Sequence, residues 1–343
     1  MVACRRVCPR VAPRAGPTES RRAMARERRR LLIPPARLAE RIALTAPEGH
    51  YLTRVLRLAA GQGCDVVDGV GHRWGALLAA DGTLRLEQPL TAPLDSQPPP
   101  APLLELAVAL PRREVDVVWR MATELGIDRL QPLLAERGRG RERWPLERWR
   151  AILREASEQC ERLWLPELAE PVAAAAWLAA PGPGHTTESP RARKRGGGLE
   201  PSEERIGGEI QAQDLHLLAT SRGDHRPLLP RLLATHTERS PTTATQESVA
   251  GWCFSAAETS GESRVGQIAA QAPGRLPAWV RLAIGPEGGW SPAEEEGALA
   301  RGWLAVSAGP TILRTTTAAV AAAAWLAGWR AALSSSSSLW RSP

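Results

Sequence analysis

The chain runs to 343 residues, 43% of them hydrophobic, enough to bury a substantial core and long enough for two domains. Its net charge of +7 is unevenly placed: residues 1–30 hold ten Arg and two Glu, a surplus of eight, which leaves residues 31–343 at −1. The bulk field is therefore no argument for a nucleic-acid partner, and any such contact must come from local patches.

All 44 basic residues except Lys194 are Arg, and Asn is absent. This reads as a GC-rich coding bias, so an Arg here need not mark a bidentate contact. The five cysteines (Cys4, Cys8, Cys64, Cys160, Cys253) are odd in number, scattered and without zinc-ligand pairing. Free thiols in a reducing cytoplasm, and no metal, are expected. No apolar run reaches membrane-span length, the Ala318–Trp329 stretch included.

Residues 1–28 form a basic extension without periodic apolar pattern, for which disorder is expected. Three readings compete for it: a transit peptide, a basic arm for RNA, or a mis-set start with Met24 as the true beginning, the last favoured. Residues 29–93 read as a small β-rich domain, with alternating runs at Cys64–Asp68, Arg73–Leu78 and Thr83–Leu86 separated by Gly-rich turns. Within it, Gly49 to Leu58 reads as a helical turn with Leu52, Val55, Leu56 and Ala59 inward and Arg54 and Arg57 on one exposed edge. Residues 94–102 are a Pro-rich linker, expected to be stiff and extended.

Residues 103–333 alternate strand and helix, which predicts an α/β domain with a parallel sheet covered by helices. Strands are expected at Leu103–Leu110, Arg129–Leu134, Asp214–Thr220, Trp279–Ile284 and Trp303–Val306. Helices are expected at Glu114–Leu125, Trp144–Leu163, Pro227–Ala234 and Thr315–Trp329. Two polar stretches, 181–213 and 236–277, read as disordered insertions, and 334–343 as a disordered tail. The run Arg191-Ala192-Arg193-Lys194-Arg195 in the first of them also fits a localisation signal, although such runs are frequent by chance. The flexible basic loop Arg137-Gly138-Arg139-Gly140-Arg141 offers phosphate contacts. Glu155, Glu158, Gln159 and Arg162 share a face of one helix, either as site-edge residues or as a solvated charge ladder.

Two glycine turns organise the chain: Ile284-Gly285-Pro286-Glu287-Gly288-Gly289-Trp290-Ser291 and Ala308-Gly309-Pro310-Thr311-Ile312-Leu313-Arg314-Thr315. Each joins a short apolar run to a helical pattern, which is how open α/β sheets build a ligand crevice. The first turn is neither a dinucleotide fingerprint nor a phosphate loop, and Glu287 would repel a phosphate. It suits a ligand without phosphate, one with positive charge included. Ser291-Pro292-Ala293-Glu294 reads as a capping box with Pro at the first helical position.

Paired at this spacing, the two motifs resemble those of the bacterial small-subunit ribosomal RNA uridine-N3 methyltransferases, S-adenosylmethionine-dependent enzymes of the trefoil-knotted SPOUT superfamily. The resemblance covers residues 25 to about 333 and extends to Met121-Ala122-Thr123-Glu124-Leu125-Gly126 and Glu155-Ala156-Ser157-Glu158-Gln159. It departs at Met121, Thr311 and Thr316, where the family carries Lys, Arg and often Glu, and this puts those side-chain roles in doubt. The resemblance implies a PUA-like RNA-binding domain over 29–93 and a knotted methyltransferase domain over 103–333, working as a cytoplasmic homodimer on 16S ribosomal RNA of the small subunit.

It further implies that Thr220, Ile284, Gly285, Pro286, Glu287, Gly288, Gly289, Val306, Gly309, Ile312, Leu313 and Thr315 hold the cofactor, with Glu287 offsetting its sulfonium. Arg314 is the expected catalytic residue, stabilising charge on the uracil ring. Arg54, Arg57, Arg137, Arg139, Arg141 and Arg162 are the expected RNA contacts. A ribose 2′-hydroxyl methyltransferase and a catalytically inert RNA-binding assembly factor are the alternatives.

Overall fold

The computed structural model describes residues 28–111, 113–138, 144–182, 214–221, 226–237 and 276–338. The basic extension through residue 27, residues 183–213 and 238–275 of the expected insertions, Arg139, Arg141 and residues 339–343 lie outside them.

The first sheet has six strands in the order β1 (Arg30–Leu32), β3 (Gly63–Val67), β4 (His72–Leu78), β5 (Leu84–Leu86), β2 (Arg41–Ile42), with β6 (Asp95–Ser96) paired to β4. Period-two alternation turns Cys64, Val66, Trp74, Ala76 and Leu78 into one buried cluster with Leu31, Ile33, Ile42 and Leu52. The start of the expected linker is thus part of a sheet, because Asp95 and Ser96 pair with Arg73 and His72.

Helix α1 (Ala46–His50) opens with a capping box at Thr45 and Glu48 and runs into a π-helical turn, Tyr51–Val55. The wider turn, closed by Leu56 N–H to the Tyr51 carbonyl at 2.9 Å, breaks the expected 3.6-residue spacing. Leu52 stays buried, but Val55 is 59% exposed and Ala59 is exposed too. Arg57 lies beyond the turn in the left-handed region (φ 56°), so it does not continue the helical edge of Arg54.

The second sheet is wholly parallel: β10 (Val172–Ala173), β8 (Arg129–Leu134), β7 (Leu103–Ala109), β12 (Trp279–Ile284), β11 (Leu215–Ala219), β13 (Leu304–Val306), with β9 (Glu167–Leu168) beside β8. Both faces are covered, so its central strands are almost continuously apolar. Leu104, Leu106 and Val108 of β7 face helices α2 (Val115–Glu124), α3 (Leu146–Gln159), α5 (Leu229–Thr237) and α7 (Thr315–Ser338). Ala107 and Ala109 face α4 (Ala174–Ala179) and α6 (Pro292–Ala300). On that second face Glu105 is buried against Arg281 at 2.7 Å, whose guanidinium also stacks 4.2 Å from the Trp177 ring.

Helix α3 stops at Gln159 rather than Leu163, because Glu161 takes a left-handed backbone (φ 62°) and the chain turns inward. Helix α7 continues to Ser338, past the expected end at Trp329. Arg330 anchors this extension through the buried carboxylate of Asp128 and the Gly126 carbonyl.

The segment after α3 joins the two sheets. Gly71 N–H donates to the Leu163 carbonyl (3.0 Å), Leu165 N–H to the Gly69 carbonyl (2.9 Å) and Trp164 Nε1 to the Gln97 carbonyl (3.1 Å). Glu158 accepts a hydrogen bond from Leu32 N–H at 2.8 Å. Among the described residues no helix is long and apolar enough to cross a membrane.

Candidate active site

Strand β11 lies between β12 and β13, although it precedes both in the chain. The carboxyl ends of these three parallel strands release loops at 220–221, 285–290 and 307–313, the place where open α/β sheets form crevices.

The first glycine turn closes through Gly289 N–H to the Pro286 carbonyl at 2.8 Å, with Gly289 in the left-handed region (φ 71°). Ser291 then caps α6: its hydroxyl accepts from Glu294 N–H (3.2 Å) while Glu294 Oε2 accepts from Ser291 N–H (2.9 Å), with Pro292 at the first turn. Glu294 Oε1 is used as well, accepting from Glu136 N–H at 2.9 Å. Trp290 is buried and donates its indole N–H to the Ala219 carbonyl at 2.9 Å. A Cβ at Gly285 would stand 3.1 Å from that ring, so glycine is needed for the backbone to pass it.

In the second turn, Ser307 Oγ donates to the Gly309 carbonyl at 2.6 Å, and a Cβ at Gly309 would meet Leu313 Cδ1 at 3.2 Å. The buried Thr315 hydroxyl donates to the Gly285 carbonyl at 2.9 Å and ties the two turns together.

The turns enclose one cavity of about 390 Å³. Of the residues expected to hold a cofactor, Thr220, Ile284, Gly285, Pro286, Glu287, Gly289, Gly309, Ile312, Leu313 and Thr315 line it. Gly288 and Val306 do not. Gly288 faces Arg137, and Val306 is fully buried beneath the cavity with its carbonyl accepting from Thr220 N–H at 3.0 Å.

The sequence reading missed Trp290 as a lining residue and the α6 wall of Pro292, Glu295, Glu296 and Leu299. The signal for the wall was present, since these positions recur at helical spacing just after the capping box. Three carboxylates (Glu287, Glu295, Glu296) border the space, Glu295 paired with Arg226 at 2.7 Å. The backbone N–H groups of Ile312 and Leu313 have no hydrogen-bond partner among the described residues. Backbone donors, apolar walls and carboxylates together suit a neutral ring bearing a cationic centre better than a phosphate.

The expected RNA contacts divide. Arg54 and Arg57 are exposed on the first domain. Arg162 is not available: its guanidinium donates to the Thr123 and Ile127 carbonyls (both 2.8 Å) and pairs with buried Asp128 at 3.2 Å. The charge ladder with Glu158 is absent for the same reason, since the helix ends before Arg162 can face it. Arg137 borders the cavity and donates to the Trp290 carbonyl at 3.0 Å and the Gly288 carbonyl at 3.4 Å. Arg314 lies between the lining residues Leu313 and Thr315; its side chain is exposed and has no partner among the described residues.

A family model described as an RNA methyltransferase domain matches residues 98–187 and 226–327, and one described as an RNA methyltransferase PUA domain matches 44–86. The chain belongs to the RNA methyltransferase family. As a member it is 32% identical over 300 residues to the ribosomal RNA small subunit methyltransferase E of Synechocystis sp., covering 86% of this chain and 76% of that protein. A structure from Legionella pneumophila with the cofactor SAM bound shares the fold (TM-score 0.57, 21% identity, 89% of this chain and 98% of that one). So does a ribosomal RNA small subunit methyltransferase E from Neisseria gonorrhoeae bound to S-adenosyl methionine (TM-score 0.55, 20% identity, 87% and 95%).

Proposed function

We propose that this RNA methyltransferase transfers the methyl group of S-adenosylmethionine to N3 of a uridine in 16S ribosomal RNA of the small subunit. The observation that carries the reading is the shared cavity of the two glycine turns, held closed by Thr315 on Gly285. The residues present fit the cofactor: glycines where a Cβ would collide with Trp290 or Leu313, and N–H groups at Ile312 and Leu313, without a partner among the described residues, for a base edge. Carboxylates at the rim fit a positive centre. When bound, S-adenosylmethionine supplies a methyl group on a cationic sulfur. The protein's own task is to hold the target nitrogen in line with it and to exclude water.

Methylation of N3 requires that nitrogen to lose its proton, so negative charge develops on the uracil ring. Arg314, just before α7, without a side-chain partner among the described residues and flanked by lining residues, is the group assigned to stabilise it. The exposed Arg54 and Arg57 are assigned to RNA backbone contacts. A trefoil knot belongs to the same reading, supported by β13 returning beside β11 before α7 packs on β7 and β12.

A cytoplasmic homodimer completes the proposal. The Ala-rich face of α7 does not serve it, because Ala319, Ala322, Ala323 and Leu326 are fully buried in this chain's own core. Trp325, 42% exposed on α7, and Ile312, 83% exposed at the cavity mouth, are assigned to contact with a second copy.

The test is a methylation assay with S-adenosylmethionine on small subunits and on naked ribosomal RNA, read by primer extension. Methylation at N3 blocks base pairing, and one strong stop at a uridine is expected. Methyl incorporation without a stop would move the target to a ribose hydroxyl. No incorporation on either substrate, with no cofactor binding by calorimetry, would leave a non-catalytic RNA-binding protein.

A further inference from the structure

We propose that Arg137 is a positioning residue for methyl transfer, bracing the first glycine turn from the rim of the cavity instead of contacting RNA; this rests on the cofactor reading of that cavity. Arg137 sits in the loop after β8, on a strand separated from β12 by β7. Its Nη1 reaches two carbonyls of the turn, Trp290 at 3.0 Å and Gly288 at 3.4 Å. Its Cβ stands 3.4 Å from where a Gly288 Cβ would be, so the side chain lies flat along the backbone of the turn.

A second tie runs alongside. Glu136 N–H donates to Glu294 Oε1, the carboxylate whose other oxygen closes the α6 cap. Adjacent residues of one loop therefore fix both ends of 288–294, one through a cation on carbonyls and one through an amide on a carboxylate. They act beside the Thr315 bond on Gly285, the Trp290 indole bond on Ala219 and the Ser291–Glu294 cap.

A turn containing three glycines has many accessible conformations, and each freely chosen one costs binding energy when a ligand arrives. Charge-assisted bonds to its carbonyls remove that freedom before binding. Arg137 should therefore act on cofactor affinity and on the placement of the methyl group. With Nη1 committed to two carbonyls of the turn, the guanidinium is tethered along the turn at the edge of the cavity.

The experiment compares the full-length protein with Arg137→Ala and Arg137→Lys. S-adenosylmethionine binding is measured by calorimetry, kcat and KM by methylation, and RNA affinity as a function of salt. Cofactor binding about tenfold weaker is expected in Arg137→Ala, consistent with loss of a charged hydrogen bond. Lysine should recover part of it, and the RNA salt dependence should not change. Wild-type cofactor binding in Arg137→Ala, or a salt slope flattened by about one phosphate contact, would overturn the assignment in favour of an RNA contact. Failure of the wild-type protein to bind S-adenosylmethionine would instead defeat the reading of the cavity itself. If alanine unfolds the protein, Arg137→Lys serves: it should keep the melting temperature near wild type yet weaken the cofactor, and unchanged affinity would refute the brace.

Discussion

The Thr315 hydroxyl donates to the Gly285 carbonyl at 2.9 Å, joining the first residue of the last helix to the first glycine of a turn thirty positions earlier. Thr315 is buried and Gly285 half-buried at the cavity wall. Replacing Thr315 by Val keeps the shape and removes the donor, at a cost of about 1 kcal/mol for the lost hydrogen bond. Thermal unfolding should show that loss. Calorimetry should show weaker S-adenosylmethionine binding, because the two halves of the cavity are no longer tied. Unaltered cofactor affinity in a folded Thr315→Val protein would separate the bond from the site.

Two of the three glycines of the first turn, Gly285 and Gly289, should fail differently. At Gly285 a methyl group meets the Trp290 ring at 3.1 Å, and that ring is held by its own bond to Ala219. Gly285→Ala should distort the cavity and abolish cofactor binding. At Gly289 there is open space but a φ of 71°, so Gly289→Ala costs about 1–2 kcal/mol of backbone strain. Melting curves should therefore register Gly289→Ala clearly, and the ligand titration should separate it from Gly285→Ala.

The strands of the larger sheet and the capping box at Ser291 were legible in the sequence, because apolar runs and cap residues act locally. The glycine turns were legible too, since no other residue serves next to Trp290. Long-range consequences were not. Arg162 reads as a helix-face residue until Glu161 breaks the helix and sends the guanidinium to Asp128, thirty-four residues away. Val55 reads as core until a π turn rotates it outward. Arg137 reads as a phosphate contact because nothing in its own segment announces that Gly288 and Trp290 lie across the sheet.

Glu158 makes the junction between the domains sensitive to pH. Burial pushes its carboxyl up to about 7, against the lowering effect of Leu32 N–H and Arg154. The folded state therefore holds a proton that the unfolded state releases near the usual carboxylate range. Between that range and about pH 7 the folded protein binds more protons, so this group's contribution to stability falls as pH rises, and the penalty is complete above pH 7. Glu158→Gln keeps an acceptor for Leu32 and removes the charge. It should be more stable than wild type by roughly 1–3 kcal/mol at pH 8 and show no gain at pH 4, measured by denaturant unfolding. A gain of equal size at both pH values would place the effect elsewhere.

Asp128 is the electrostatic centre of the larger domain's edge. It takes Arg162 and Arg330, accepts from Leu104 N–H at 3.0 Å, and is 2% exposed. Removing one cation leaves a buried carboxylate under-compensated, so Arg162→Ala should cost about 3 kcal/mol of stability. It should leave RNA affinity and its salt dependence at wild-type values in the protein that remains folded. A weaker, salt-flattened RNA interaction without loss of stability would return Arg162 to the RNA surface.

Arg314 is the residue whose loss should be felt only in the reaction. Its side chain is exposed, carries no partner among the described residues, and follows Leu313 at the cavity wall. It therefore braces nothing whose loss would loosen the cofactor. Charge that appears on the uracil ring as N3 loses its proton is absent from the bound ground state, so a cation aimed at it lowers the barrier without tightening substrate. Arg314→Ala should leave the melting temperature and S-adenosylmethionine affinity near wild type while kcat falls by about 10²–10³. Arg314→Lys should recover part of that rate, since charge is retained but the planar donor fork is not. If the alanine variant methylates at the wild-type rate, Arg314 is a bystander; if it loses cofactor affinity in step with rate, the residue belongs to the binding pocket.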